Sequence, residues 1–391
     1  MPPRSATTSL NRSVRDQNAG ALLRLLLREP MGRKELARRT GISLTTITRL
    51  TAALLAAGVL EELSARVVVG RGKGRPEIPL GIAAGGRLAV GVQIRGSRVT
   101  AAAYGLSGIR LAAVEAPHDG GAPERVVATA IELTRRLIDD VGPARVAGVG
   151  VSTGGVVDFE SGTLLSSPQL GWRNVPLRGP MARAVGRPVV VDTSVRSLAV
   201  SRLWTDPAAP DSMLVVFVAG IVASALVLER RLQRGAHATA GALAHTPVAG
   251  GPRRPCPCGS VDCLGLLATD RAVQRTAIAE GWLSTGSSWD DIYAGGSPSA
   301  RNGLAGLRRE RAGILGRSVG RLAEFLDPYE TVVAGRIGTD EEVRLCLDAI
   351  GAERGARHWP VTDEDWDRGA ASLLVDDYLT CPTRYEPTLS I

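Results

Sequence analysis

Apolar residues recur at helical spacing near the start of the chain, then give way to short continuous runs further on. Asn18 to Arg28 reads as an amphipathic helix, with Leu22, Leu23, Leu26 and Leu27 on one side and Pro30 and Gly32 ending it. Gly32 to Arg39 predicts a second, short helix. Thr40-Gly41-Ile42 is a turn in which Gly41 is free to take φ > 0. Ser43 then caps a third helix over Leu44 to Ala57. Its inward stripe is Ile47, Leu50 and Leu54, with Leu44, Thr45, Thr48 and Arg49 on the opposite side. Gly58 stops it and Val59-Leu60-Glu61 starts a strand. Val67-Val68-Val69 predicts another strand, and Gly70 to Pro76 is a flexible tip carrying Arg71, Lys73 and Arg75. Helix, short helix, glycine turn, helix and basic wing together describe a winged helix-turn-helix.

From Leu88 the period changes. Leu88 to Ile94 and Val99 to Tyr104 predict a hairpin, Pro123 to Val141 a long helix, and Val146 to Val151 a buried strand. Val189 to Asp192 is a further strand, followed by a helix through Trp204. The uncharged run Met213 to Leu228 is short for a membrane span and is interrupted at Gly220, so it reads as two buried strands with a turn at Ala219-Gly220. Gly303 to Leu326 is a second long helix, and Glu330 to Ala334 a strand leading into Gly335. The same strand-and-helix layout occurs twice, which predicts a duplicated α/β body behind the small head.

The chain has 391 residues, 44% hydrophobic and 22% charged, as ordinary globular proteins do. Charge sharpens the division at about residue 80. Residues 1–80 hold 14 Lys and Arg against 6 Asp and Glu, while the remaining 311 residues hold 33 of each sign. The whole excess of +8 therefore sits on the head, which suits an anionic polymer as partner. On the third helix, Ser43, Leu44, Thr45, Thr48 and Arg49 are small enough for close approach in a major groove. Arg71, Lys73 and Arg75 on the wing suit a minor groove or phosphates. A solvated basic face on a protein-interaction module is the competing reading. The tip lacks the spacing of a nucleotide phosphate loop. Met1 to Arg15 is polar and basic without an apolar core, so the chain is expected in the cytoplasm, with reduced thiols and no membrane partner.

Three of the five cysteines fall within eight residues, Cys256, Cys258 and Cys263, in a Gly/Pro-rich loop preceded by His245. One imidazole and three thiolates are the donor set of a closed tetrahedral zinc site, and four donors leave no position open for catalysis. The expected cofactor is thus a structural Zn2+. Unrelated thiols or a disulfide are the alternatives. Cys346 and Cys381 read as structural, and His118, His237 and His358 as packing or surface residues.

The chain resembles the ROK family (repressors, open reading frames and kinases), in the branch with an N-terminal winged helix. Arg12, Arg15-Asp16 and Asn18 lead the first helix. Leu36-Ala37 with Thr40-Gly41-Ile42-Ser43 marks the helix-turn-helix, and Gly74-Arg75-Pro76 closes the wing. Val149-Gly150-Val151, Gly154 and Val157-Asp158 follow, then Ser167-Pro168, Leu170-Gly171-Trp172 and Asn174. Gly241 to His245 with the cysteines resembles the family's zinc signature, and Gly369-Ala370-Ala371 its closing helix. The resemblance implies domains over residues 1–80 and 81–391, the second a sugar-kinase-like body of the actin/hexokinase type. It also implies a transcriptional regulator, a repressor of carbohydrate-related genes, binding double-stranded operator DNA as a homodimer or dimer of dimers. A sugar or sugar-derived effector would contact Asp192 and His245.

An ATP-dependent sugar kinase with a regulatory head is the alternative, with Asp192 as base. The chain departs from that pattern. Gln93 stands for the acidic residue of the first phosphate turn, Arg95 crowds it, and Val222 replaces a glycine of the second turn. Val191 and Ser194 stand where asparagines are usual, and Ala242 and Gly265 where acids are usual. Asp192 is then a vestigial catalytic candidate at most, equally readable as a carboxylate at a strand end that caps the next helix. A non-enzymatic body follows.

Overall fold

The computed structural model describes residues 14–63, 78–288, 290–294 and 297–390. The chain divides into two compact units, one running to Pro207 and resuming at Trp366, the other Ala208–Asp365.

The first unit opens with the helical head: α1 (Val14–Leu26), α2 (Arg33–Thr40) and α3 (Leu44–Ala56). Leu22, Leu23, Leu26, Leu36, Ile47, Leu50 and Leu54 are buried together, the stripe that the spacing predicts. Gly41 takes φ 72° between α2 and α3, and the Ser43 hydroxyl accepts the Thr46 N–H at 3.3 Å, closing the first turn of α3. Strands β1 (Leu60–Glu62) and β2 (Leu80–Ile82) pair antiparallel, and Met31 exchanges backbone hydrogen bonds with Leu80. The expected strand at Val67–Val69 and the tip with Arg71, Lys73 and Arg75 lie outside the described residues. Helix α1 begins at Val14, earlier than its apolar spacing predicts, and Leu27 lies past its end.

The reason is tertiary. Asp16 is buried and accepts both the N–H and the hydroxyl of Thr383, at 3.0 and 2.7 Å, while Arg15 donates to the Leu389 carbonyl at 2.8 Å. The C-terminal segment therefore holds the first turns of α1, and a partnered polar side chain is invisible to hydrophobic periodicity.

The rest of this unit is a sheet built from β3 (Leu88–Ile94), β4 (Arg98–Gly105), β5 (Arg110–Pro117), β6 (Val146–Thr153) and β10 (Val189–Thr193). A small three-stranded sheet, β7 (Val156–Asp158), β8 (Thr163–Ser167) and β9 (Trp172–Pro176), stands between β6 and β10 in sequence. Helices α4 (Pro123–Val141), α5 (Arg178–Val185) and α6 (Ser194–Thr205) complete this stretch. The main sheet runs β10-β6-β3-β4-β5, parallel on one side of β3 and antiparallel on the other.

The second unit repeats that plan. It holds β11 (Met213–Val218), β12 (Val222–Leu228), β13 (Arg231–Gln233), α7 (Leu264–Leu267), α8 (Asp270–Ala279) and α9 (Asp291–Ala294). Then come α10 (Pro298–Leu326), β14 (Glu330–Gly335), α11 (Asp340–Ile350) and β15 (Ala356–Trp359). Its sheet runs β13-β12-β11-β14-β15. In each sheet the first strand is central, the next two extend antiparallel to one side, and the fourth and fifth lie parallel on the other. Helix α10 starts at Pro298, earlier than expected, because Ser297 accepts the Ala300 N–H and proline is well placed in the first turn.

The closing helix, α12 (Asp363–Thr380), packs in the first unit against β3 and β6. A Cβ on Gly91 would lie 2.5 Å from Ala371 N and from Asp367 O, and one on Gly150 would collide with the Ala370 carbonyl. The glycines are there so that strands and helix backbone can meet.

Candidate nucleic-acid interface and metal centre

Local folding decides how α3 presents its side chains. Ile47 and Leu54 are fully buried, so the helix cannot rotate, and Ser43, Leu44, Thr45, Thr48 and Arg49 are all left exposed. Leu44 keeps 45% of its surface in solvent, a methyl-bearing side chain beside hydroxyls and one guanidinium. Arg49 has no hydrogen-bond or ion-pair partner among the described residues. Its neighbours on α2 differ: Glu35 receives Arg38 and Arg39, which hold its carboxyl down to about 2, and Arg39 also reaches Glu29 at 2.8 Å. Arg33 is tied to Glu62 and to the Thr51 hydroxyl. Among the described residues of the head, Arg33, Arg38 and Arg39 are engaged in bracing α2, whereas Arg49 on α3 stands clear.

In the second unit, His245, Cys256, Cys258 and Cys263 bring one donor atom each to within 4.8 Å of one another. The Cys256 Sγ lies 3.5 Å from His245 Nδ1, and the Cys258 and Cys263 sulfurs are 3.5 Å apart. The loop is built for this. The Cys256 N–H donates to the Ser260 carbonyl, Gly259 N–H returns to the Cys256 carbonyl, and Gly259 takes φ 91°. Short bridges join Pro247 to Cys263 and Pro255 to Val261. The donor chemistry and the convergence both fit zinc. The Ser260 amide beside Cys258 holds that thiol down to about 7, whereas burial pushes Cys263 up to about 12.

Asp262, which motif reading passes over, carries much of this geometry. It is 4% exposed, sits at φ 49°, and accepts the N–H groups of Arg253 and Arg254 at 2.8 and 2.7 Å. The available signal was local: aspartate tolerates the left-handed region and bonds nearby amides better than most residues.

Asp192 ends β10 in the first unit and has no exposed surface. Its Oδ1 accepts the Thr193 N–H at 2.8 Å and the Arg196 guanidinium at 3.2 Å, and Arg196 is itself buried. The carboxylate is thus neutralised within its own helix start, and Arg196 is a partner no motif indicated. Beside the sheet, the Gln93 amide donates to the Ser194 hydroxyl at 2.9 Å and accepts from the Ser152 hydroxyl. The residue standing for an acid is therefore part of a closed hydrogen-bond set. In the second unit the Ala219 N–H already donates to the Ile221 carbonyl, and the Ala219 carbonyl accepts from Asp270. Asp192 and His245 belong to different units.

His118 packs on the turn after β3. It contacts the Arg95 carbonyl at 2.5 Å and accepts the Gly120 N–H, a packing role as expected. Cys346 and Cys381 are buried, as expected of structural residues. Among the described residues no helix is long and apolar enough to cross a membrane.

The ROK family profile matches residues 89–354. The transcriptional regulator Rv0485 of Mycobacterium tuberculosis (strain ATCC 25618 / H37Rv) is 31% identical over 368 residues, covering 87% of this chain and 77% of that protein. The xylose repressor of Caldicellulosiruptor bescii is 30% identical over 154 residues, 38% of each chain. Among solved structures, a ROK family transcriptional regulator described as a homolog of the E. coli MLC protein superposes with TM-score 0.79 at 19% identity. That match covers 97% of this chain and 100% of the other, a likeness of fold.

Proposed function

The chain belongs to the ROK family, and on that premise we propose that it is a DNA-binding transcriptional regulator that represses carbohydrate-related genes. Residues 1–80 form its DNA-binding domain, and residues 81–391 its effector and dimerisation domain. The observation that carries the reading is the exposed row on α3, Ser43, Leu44, Thr45, Thr48 and Arg49, held outward by the buried Ile47 and Leu54. Laid in a major groove, Arg49 reads a base edge or a phosphate, the hydroxyls bond to bases and phosphates, and Leu44 meets thymine methyls. Arg71, Lys73 and Arg75 grip the neighbouring backbone. A homodimer then matches a two-fold operator.

The body acts without turnover. Its retained aspartate is neutralised by Arg196, and freeing the carboxylate to serve as base would break a buried ion pair. His245, Cys256, Cys258 and Cys263 would hold zinc, which supplies the positive charge that keeps three thiolates and an imidazole together. The metal is structural, cross-linking the loop that Asp262 shapes. A sugar-derived effector reaching Asp192 competes with Arg196 for its oxygens. Such a ligand shifts DNA binding only through unequal affinity for two states of the protein.

Fluorescence anisotropy with the DNA upstream of the protein's own gene tests the reading. Tight, salt-dependent binding that Arg49→Ala weakens is expected. No binding at low salt overturns it, and so does hexose phosphorylation well above background in a coupled assay.

A further inference from the structure

The five cysteines differ in their access to water. Cys258 is exposed, whereas Cys256, Cys263, Cys346 and Cys381 are buried, Cys263 and Cys346 completely. Cys258 stands at the turn of its loop, beside Gly259 with φ 91°. Gathered on a metal the three sulfurs of the cluster are thiolates, the form that oxidants attack. Oxidation follows thiolate character and access, so a dissolved oxidant meets Cys258 first.

The sulfur behind Cys258 gives that exposure a consequence. Cys258 Sγ lies 3.5 Å from Cys263 Sγ, a gap that small side-chain rotations close to a covalent bond. Four residues separate the two cysteines, room for an unstrained bridge, while Pro257 alone separates Cys256 from Cys258. Cys256 Sγ faces His245 Nδ1 at 3.5 Å. The backbone bridges Pro247–Cys263 and Pro255–Val261 fix both limbs of the loop, so the pairing does not depend on an ion alone.

We propose that Cys258 is the site at which a peroxide modifies this protein, and that it resolves onto Cys263 as a disulfide that expels the zinc. The Cys258 thiolate attacks one peroxide oxygen, the O–O bond breaks, hydroxide leaves and Cys258 becomes a sulfenic acid. The Cys263 thiolate then attacks the Cys258 sulfur, forming the S–S bond and releasing a second hydroxide. The two sulfurs together give up two electrons and the peroxide takes up both. Zinc binds thiolate, so His245 and Cys256 alone remain as donors, half of a closed set. The change reaches the interior of the second unit: buried Cys263 directly precedes α7, and the Leu264 N–H donates to the Thr246 carbonyl. A small dithiol reverses it by exchange. The inference deepens the zinc reading and rests on it for the metal's release, not for the disulfide.

Hydrogen peroxide titrated into the full chain tests it, with two readouts. Zinc is followed with a chromophoric chelator, and cysteine pairing by peptide mass mapping without reduction. Zinc should leave in proportion to a Cys258–Cys263 disulfide, and dithiothreitol with added zinc should restore the starting state. A sulfenic-acid trap on the wild type should label Cys258 alone, which needs no variant to fold. Cys258→Ser should slow oxidation of the remaining cysteines by about 10-fold or more, and Cys346→Ser should oxidise like the wild type. Untreated protein that is folded and free of zinc refutes the metal reading, while the pairing is still read by mass. Trapping at another cysteine, a bridge through Cys256, or peroxide-treated protein that keeps its zinc and its thiols overturns the proposal.

Discussion

The outward face of α3 and the end of β10 hold similar kinds of side chain in opposite circumstances. On α3, hydroxyls and a guanidinium are exposed, and Arg49 has no partner among the described residues. At the end of β10, Asp192, Arg196, Gln93, Ser152 and Ser194 form two sets that satisfy themselves. Polar groups bonded to one another are unavailable to a ligand without a compensating gain. Polar groups facing water exchange their solvent bonds for ligand bonds at little net cost. On the proposed reading the groups that meet a ligand are therefore those of the head, while Asp192 and Gln93 are engaged inside the packing.

The comparison breaks most visibly at Asp192. Asp192→Ala removes one partner of a buried ion pair and should cost about 3–5 kcal/mol in denaturant unfolding. A loss near zero would mean that the pair is not structural. Next in size, Cys263→Ser removes one donor from a cluster that is buried on this side. Metal content by mass spectrometry should drop, and stability should fall by about 3 kcal/mol. A folded wild type that carries no zinc would refute the metal assignment.

Arg49→Ala should do the reverse of Asp192→Ala. Stability should stay level while operator affinity falls by about 1–3 kcal/mol, read by anisotropy at fixed salt. Ser43→Ala sits between the two, since Ser43 both caps α3 and faces outward. It should cost about 1 kcal/mol of stability. The smallest effect concerns Glu35, whose carboxyl lies at about 2 against an ordinary 4.5. Because the folded value is the lower one, its contribution is present above pH 4.5 and lost as pH falls through 2. The difference in melting temperature between wild type and Glu35→Gln should therefore close over that interval.

Much of the fold was legible because it rests on periodicity. Ile47, Leu50 and Leu54 fixed the rotation of α3, and the uncharged run at Met213 to Leu228 is the central hairpin of the second sheet. The clustering of His245 with the three cysteines was legible because cysteine is rare and its spacing informative. Arg196 was not, since an arginine four residues past an aspartate on a helix is ordinarily a solvated pair, and only burial turns it into a neutralising partner. Asp262 escaped for a similar reason: its role comes from the backbone conformation of a loop, which no period announces.

By itself the sequence determined the three helices of the head, the doubled α/β body and the four clustered donors, because each depends on residue type at short range. Tertiary structure alone decided that α1 is held by Thr383 and Leu389, that Gly91 and Gly150 exist for α12, and that Asp192 is closed off. It alone left Cys258 as the exposed thiol of the five. These depend on what residues far apart in the chain bring against one another, and on which polar groups water can still reach.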